Sequence, residues 1–313
     1  MTSARRPASG SDIVSDHVFK ELQDVGADDW VMIRRALARV QAETRGLRAL
    51  DELAIVQGLL AARAEIAPVA DFFDAPSCLP PLFKDYPGST VWRLPPPSEP
   101  GGTIAEVLRR RATSYAHDAR PLPLPALSAL LLHGYGIREY TQAYGIDRFP
   151  MRMAPSAGGL QPVNLYVVAN LVGELPAGVY YFHAEAAELR EVKSGDYRDQ
   201  LVDVCMGQTM VRSAQAVAVL TCSLDRVMWR YGLRHYRTVH VDAGAVMQNL
   251  YLVGCARGLS ICAVGGFFDA AANELVGVDG RAEFVVLFVA IGSAGDTTDS
   301  ATIEVSPSPQ RQR

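Results

Sequence analysis

The sequence predicts an α+β fold. Apolar residues recur at spacings of three and four in several long stretches, the period of a buried helix face. Compact runs such as "NLYVVANLV" and "GVYYFHA" carry the β-branched and aromatic residues of strands, with a turn at "GELPAG" between them. Helices and hairpin strands mix without strict βαβ alternation, which excludes a doubly wound parallel sheet. The expected architecture is a central, mostly antiparallel sheet flanked by helices, preceded by a small helical module. The 313 residues suffice for one large domain or two modest ones.

Residues 1–12 are polar and are expected to be disordered. Over residues 13–75 the pattern is helical: Trp30, Ile33, Leu37 and Val40 share a face, and Gly46 can end that helix. Residues 76–102 form a proline-rich connector too apolar to be a free linker. Leu82, Phe83, Tyr86, Val91 and Trp92 are expected to pack against the main domain, assigned to residues 103–295. That domain opens with Thr103 and Glu106, a capping box. "PLPALSALLLHGYG" is a second amphipathic helix, ended by Gly134 or Gly136. "NLYVVANLV", "GVYYFHA", "AELREV" and "AQAVAVLTC" follow as strands. "TVHVDAGAVMQNLYLVGCARGL" is apolar nearly all round and reads as an interior helix. "EFVVLFVAIG" is a final buried strand, and residues 296–313 are a polar tail expected to be disordered.

Composition narrows the function. Apolar residues make up 49% of the chain, charged residues 20%, and the net charge is −4, a poor match for nucleic acid. The six histidines lack metalloprotease spacing and the five cysteines lack CxxC spacing, so no metal site is predicted. The N-terminus has no apolar signal-peptide core and no run is long enough to span a bilayer, so a soluble, cytoplasmic protein is expected. Lys20, Lys84 and Lys193 are the only lysines among 30 basic residues.

Three clusters have the residue types of a phosphate-bearing ligand site: "RRRATSYA" from Arg109, "APSAGGLQP" from Ala154 and "AVGGFFD" from Ala263. Arginines offer planar donors to a phosphate, and small residues let backbone N–H groups approach a ligand. Neither a GxGxxG nor a P-loop pattern is present. On pattern alone, a solvated arginine face and ordinary glycine turns are the stronger account of these residues. A fourth segment, "RYGLRHYR" at residues 230–237, interleaves cations with Tyr231 and Tyr236.

In order along the chain, "KDYPGSTVWRLPPP", the Arg110-Arg111 element, "PSAGGLQPVNLYVV", "AGVYYFHAEAAELREV", the stretch from "RYGLRHYR" through "AVGGFFD", and "LVGVDGRAEFVVLFVAIG" resemble the nitroreductase-type flavoenzymes. The resemblance runs from about Tyr86 to Gly295 and is strongest to the SagB-type branch, the azoline dehydrogenases. It implies FMN as cofactor and a homodimer with sites at the subunit interface. It implies that Arg110 and Arg111 contact the flavin ribityl phosphate. Pro155, Ser156 and Ala157 would lie along the isoalloxazine, with Gly265 and Gly266 on its N5 side. Ala112 and Ser114 stand where the family often carries serine and a basic residue, and Arg237 or Arg152 could compensate.

The resemblance also bears on "RYGLRHYR". The family often has a catalytic Lys-Tyr pair there, whereas this chain has Arg230-Tyr231. Arginine cannot lose its proton near neutral pH. Tyr231 is therefore expected to transfer the proton and Arg230 to act through charge. The implied reaction is oxidation of a thiazoline or oxazoline in a peptide or carrier-protein-bound substrate, with a cyclodehydratase or synthetase as partner. An NAD(P)H-dependent nitro or quinone reductase and a non-catalytic scaffold are the alternatives.

Overall fold

A computed structural model describes residues 79–294. The helical module expected over 13–75, the disordered segments expected over 1–12 and 296–313, and the first three residues of the connector lie outside the described residues. Met228–Tyr236 falls in a different compact unit from the sheet and its helices, which run to Val227 and resume at Arg237.

The strands are β1 (Val91–Arg93), β2 (Ile137–Ala143), β3 (Ile146–Arg152), β4 (Val163–Ala169), β5 (Gly178–His183), β6 (Glu188–Ser194), β7 (Ala216–Ser223), β8 (Leu259–Val264) and β9 (Glu283–Ser293). The helices are α1 (Ile104–Arg110), α2 (Leu124–Tyr135), α3 (Arg198–Val204), α4 (Met210–Ser213), α5 (Asp225–Tyr231), α6 (Tyr236–Ala256) and α7 (Asp269–Val276). Seven strands form one sheet in the order β1-β6-β5-β4-β7-β9-β8. Every neighbouring pair is antiparallel. The α+β class and the helix-flanked sheet are as the sequence predicts. Connector residues 91–93 supply β1, an edge strand of this sheet.

Central strand β4 is buried along its whole length, so its alternate side chains feed two cores. On one face, Tyr166, Val168, Val179, Tyr181, Val217 and Val219 pack with Leu201 and Val204 of α3 and with Ala272, Leu275 and Val276 of α7. On the other, two glycines allow close approach, Gly134 of α2 to α6 and Gly254 of α6 to β8. A Cβ at Gly134 would meet Leu250 Cδ2 at 2.7 Å, and one at Gly254 would meet Ile261 Cγ1 at 2.5 Å. Asn249 Nδ2 donates to the Gly134 carbonyl at 3.0 Å, satisfying a group that the end of α2 would leave open.

Two elements differ from expectation. The 21-residue α6 is not interior all round: its buried residues are Val239, Asp242, Ala243, Val246, Leu250, Tyr251 and Gly254, a single face. Val241, on the opposite side, is 69% exposed. Apolar content alone does not distinguish burial within the chain from an apolar face left outside it. The hairpin β2–β3 was not expected, and β2 is exposed at all but its two ends. An exposed strand lacks the apolar alternation by which strands are read.

No helix among the described residues is long and apolar enough to cross a membrane, and no group of three metal-binding side chains occurs among them. Cys205, Cys222, Cys255 and Cys262 are free thiols.

One polar cluster is set into this apolar frame. Glu283, the first residue of β9, accepts on Oε1 from Asn164 Nδ2 at 3.0 Å, Tyr166 Oη at 3.2 Å and Thr221 Oγ1 at 2.5 Å. Its Oε2 accepts from Lys84 Nζ at 2.8 Å. Lys84 Nζ also donates to Tyr166 Oη at 2.7 Å, and its backbone N–H to Tyr181 Oη at 3.1 Å. Tyr86 Oη lies 3.1 Å from Tyr166 Oη. Burial opposes the Lys84 charge, but the Glu283 carboxylate outweighs it and raises the pKa above the ordinary 10.5. A raised lysine pKa gives stability that is complete below pH 10.5 and is lost only as pH rises through the folded value. Glu283→Ala leaves the ammonium, two hydroxyls and an amide without that acceptor. It should cost about 3 kcal/mol, the lower end for breaking a buried pair because both side chains keep some solvent contact. Urea unfolding at pH 7 measures this, and an unchanged midpoint would remove the cluster from the stabilising core.

Candidate functional site

Helix α1 is started by the full capping box of Thr103 and Glu106. It ends with Arg109 and Arg110 in its last turn, where cations complement the helix dipole. Arg111 then turns into an extended backbone that runs beside β8: Ser114 N donates to Ile261 O at 3.1 Å, and Ser260 Oγ donates to Ser114 O at 3.1 Å. Among the described residues, none of Arg109, Arg110 and Arg111 has a carboxylate within ion-pair distance. The Arg111 guanidinium lies 5.5 Å from the centre of the Tyr251 ring.

Tyr251 joins this segment to the glycine cluster. Its hydroxyl accepts from Ala263 N at 2.8 Å and lies 3.3 Å from Thr113 Oγ1. Ala263 leads through Val264 to Gly265 and Gly266. A Cβ at Gly265 would meet nothing within 4 Å, so this backbone faces open space. The Gly266 carbonyl accepts from Gln208 Nε2 at 3.0 Å, and Phe268 N donates to Val204 O at 2.9 Å just before α7. Both ends of the turn are fixed while Gly265 stays open.

The third cluster is held by α6. Asp242, 5% exposed, accepts from Ser156 Oγ at 2.8 Å and from Ala157 N at 3.2 Å. Ser156 Oγ in turn accepts from Gln161 N at 3.0 Å. Burial raises the Asp242 pKa, and the bonds from Ser156 and Ala157 oppose the rise. The Ala157 N–H is thus committed within the protein. Gly158, Gly159 and Gln161 have φ of 60°, 69° and 54°, and the left-handed conformation is strained for Gln161. Tyr144, at the tip of the β2–β3 hairpin, donates its hydroxyl to the Gly158 carbonyl.

Arg152, Arg226 and Arg237 occupy different surroundings. Arg152 is 5% exposed and donates to the Tyr135 carbonyl at 3.3 Å, with its guanidinium over the Tyr135 and Phe83 rings at 4.3 and 5.2 Å. It is packed into the core, not displayed at the surface. Arg226, which sequence reasoning missed, is 4% exposed and donates to Pro81 O and Gln161 O at 3.0 and 3.1 Å. Arg237 is exposed in the first turn of α6.

"RYGLRHYR" spans the end of α5, a 3-10 turn at Gly232–His235 and the start of α6. Tyr231 stacks on His235 with ring centres 4.7 Å apart and planes 16° from parallel. The Arg230 guanidinium lies 5.5 Å from the Tyr231 ring centre. Burial lowers the His235 pKa to about 4, so its imidazole is neutral at pH 7. The expected electrostatic partner therefore contacts the tyrosine ring as a cation, beside an uncharged stacking partner.

Tyr251, Asp242, Gln208 and Tyr144 are the site residues that the sequence analysis missed. Asp242 left one signal, an acidic residue inside an otherwise apolar helix. Tyr251 left none, because a tyrosine in such a helix reads as core.

The nitroreductase family model matches residues 108–293, more than half of the chain. The chain belongs to the nitroreductase family. A protein of Methanocaldococcus jannaschii that bears a nitroreductase name is 27% identical over 189 residues, covering 60% of this chain and 90% of that one. A nitroreductase structure from Anabaena variabilis superposes with a TM-score of 0.56 at 28% identity over 67% of this chain. The match spans only 42% of the Anabaena protein. The E. coli microcin synthetase McbBCD complex, with truncated pro-MccB17 bound, superposes with a TM-score of 0.53 at 16% identity. That match covers 92% of this chain and 95% of that one, and at this identity it is a likeness of fold.

His235 provides a pH test in this protein. A histidine whose folded pKa is lowered gives stability that is present above its unfolded value, 6.5, and is lost as pH falls through about 4. His235→Phe keeps a ring to stack on Tyr231 and removes the titration. Its stability should fall less steeply than that of the wild type between those two values. Denaturant unfolding at several pH values measures the slopes, and equal slopes would place the His235 pKa near its ordinary value.

Proposed function

We propose that the chain is an FMN-dependent oxidoreductase that oxidises thiazoline or oxazoline rings to azoles, on a peptide or a carrier-bound intermediate. The observation that carries the cofactor reading is the convergence at Tyr251: one phenol contacts Arg111 and anchors the strand leading to the open Gly265 backbone. Arginines with no carboxylate within ion-pair distance among the described residues fit a phosphate, and an open glycine backbone fits the edge of a flat ring. Family membership agrees with this donor set.

In this reading Arg110 and Arg111 hold the phosphate, Pro155 and Ser156 line the ring, and Gly265 and Gly266 offer it their backbone. Ala157 contributes its methyl or carbonyl, since its N–H is bonded to Asp242. When bound, FMN supplies a hydride acceptor at N5. Tyr231 Oη removes the proton from the neighbouring ring carbon, and Arg230 acts through its charge. Two electrons and two protons leave the substrate and pass in the end to dioxygen, forming hydrogen peroxide. Support for the azoline comes from the ordered motifs and from a likeness of fold to a synthetase complex with truncated pro-MccB17 bound. The nitroreductase names of the more similar relatives favour a second reading, reduction of a nitroaromatic or quinone by NAD(P)H. A homodimer is part of the proposal: Val241 on α6, Ile104 and Leu108 on α1 and Phe268 are each more than half exposed, and apolar faces of this kind need a cover.

An absorption spectrum of the pure protein, followed by anaerobic titration with a thiazoline-containing peptide, separates the readings. Bleaching of the flavin by the peptide supports azoline oxidation; bleaching by NADPH alone supports the reductase. Changing Arg110 and Arg111 together to alanine should strip FMN during purification, because each charge-assisted phosphate contact contributes about 1.5–3 kcal/mol. Full retention of flavin would remove both residues from the site.

Tyr231→Phe should bind FMN normally and lose about 10²–10⁴-fold in turnover, whereas Arg230→Lys should stay active with a shifted pH profile. Wild-type turnover by Tyr231→Phe would reassign "RYGLRHYR" to docking or structure.

A further inference from the structure

We propose that Asp242 is the positioning residue of the 155–159 loop, holding Ser156 and Ala157 in the conformation that receives the flavin. The inference rests on the cofactor reading above but concerns a residue outside the set that reading assigns.

The geometry is specific. Both oxygens of a carboxylate that is 5% exposed are directed at the loop: Oδ2 accepts from Ser156 Oγ at 2.8 Å, and the pair receives the Ala157 N–H at 3.2 Å from each oxygen. A buried carboxylate is costly unless hydrogen bonds satisfy it, so such a group persists where its bonds fix something. Here they fix a strained backbone. Gly158, Gly159 and Gln161 have positive φ, and Gln161 lacks the freedom of glycine to adopt it. Ser156 Oγ relays the constraint to the Gln161 N–H, so Asp242 controls both the start and the end of the turn. Tyr144 fixes the Gly158 carbonyl from the other side. Asp242 lies on α6, the helix that also carries Tyr251. One rigid element therefore sets the loop and, through Ala263, the approach to Gly265.

The carboxylate has no direct part in the chemistry. It selects one loop conformation before the cofactor arrives, so that less ordering remains to be done on binding. Asp242→Asn tests this by replacing one acceptor oxygen with an NH₂ group. The amide can still accept from the Ala157 N–H, but it faces Ser156 Oγ with a donor. Ser156→Ala removes the same bond from the loop side with little risk to the fold.

Two measurements on full-length protein decide the matter. In apoprotein, hydrogen exchange at the Ala157 and Gln161 amides should be at least tenfold faster in Asp242→Asn, with protection in β4 and β7 unchanged. In FMN titrations followed by flavin fluorescence, Asp242→Asn and Ser156→Ala should each bind about tenfold more weakly. The double variant should be no weaker than Ser156→Ala alone, because Asp242→Asn acts on a contact that Ser156→Ala has already removed. The bound flavin's visible circular dichroism should shift in the same way in both single variants, which a general loss of stability would not produce. Unchanged amide exchange overturns the proposal, as do faster exchange with wild-type FMN affinity and single losses that add in the double variant. If Asp242→Asn does not fold, exchange at Gln161 and FMN affinity in Ser156→Ala decide alone, and wild-type values for both overturn it. Wild-type protein that binds no FMN while the exchange result holds instead overturns the cofactor reading, and leaves Asp242 as the anchor of a loop with another purpose.

Discussion

Glu283 accepts hydrogen bonds from four side chains drawn from the connector, β4 and β7. Three otherwise independent segments thereby share one acceptor at one end of the sheet, where Asn164 lies opposite Thr221 and Ser223 opposite Glu283. The apolar faces of β4 and β7 set the register only within the period of two, since a slip by two residues would keep the same faces buried. Polar partners at fixed positions remove that freedom. A slip would leave an ammonium and several donors buried without an acceptor, at a cost beyond that of misplaced methyl groups. The cluster is best read as a device of uniqueness: it selects one pairing among several that hydrophobic burial would tolerate.

That registered end is also where β4 begins. The loop at 155–159 enters β4 through Gln161 and Pro162, and the Pro162 carbonyl accepts from Ser223 N at 2.8 Å. The position of the loop is thus inherited from the strand it feeds, and Asp242 refines it from the helix behind. The same division recurs at the other glycine cluster. The sheet places β8, and then Tyr251 and Gln208 fix the turn that follows. In both places a rigid element brings the backbone near and one buried polar side chain sets the last ångström, a pattern suited to a ligand that must be oriented as well as held.

Much of this fold was legible in the sequence because burial leaves a periodic trace. Strands β4, β5, β6, β7 and β9 and helices α2 and α6 all show it. Hairpin β2–β3 did not, since a strand open to solvent needs no apolar face. Strand β8 was hidden for a different reason: its six residues run straight into "AVGGFFD" and read as the approach to a loop. The cluster residues were visible as residue types, but their meeting was not. Lys84 and Glu283 are 199 positions apart, and Ser156 and Asp242 are 86 apart. No local pattern records such pairs. That no lysine follows Lys193, and so none stands near Tyr231 along the chain, was also legible. Of the described lysines, Lys84 is engaged by Glu283, which outweighs burial and raises its pKa above the ordinary value.

Strand β1 gives the connector a role that its proline content conceals. Val91, Trp92 and Arg93 pair with Arg190, Leu189 and Glu188 of β6, so the three-residue strand covers a flank that would otherwise present unsatisfied amides and carbonyls to water. Short outermost strands of this kind discourage a second sheet from adding on. A protein shortened to begin at Thr103 would keep nearly every element of the family match. It would nevertheless expose Glu188–Glu191 of β6 and withdraw Lys84 from Glu283. The unit that can be cut out and still remain monodisperse therefore starts upstream of the unit that similarity marks out.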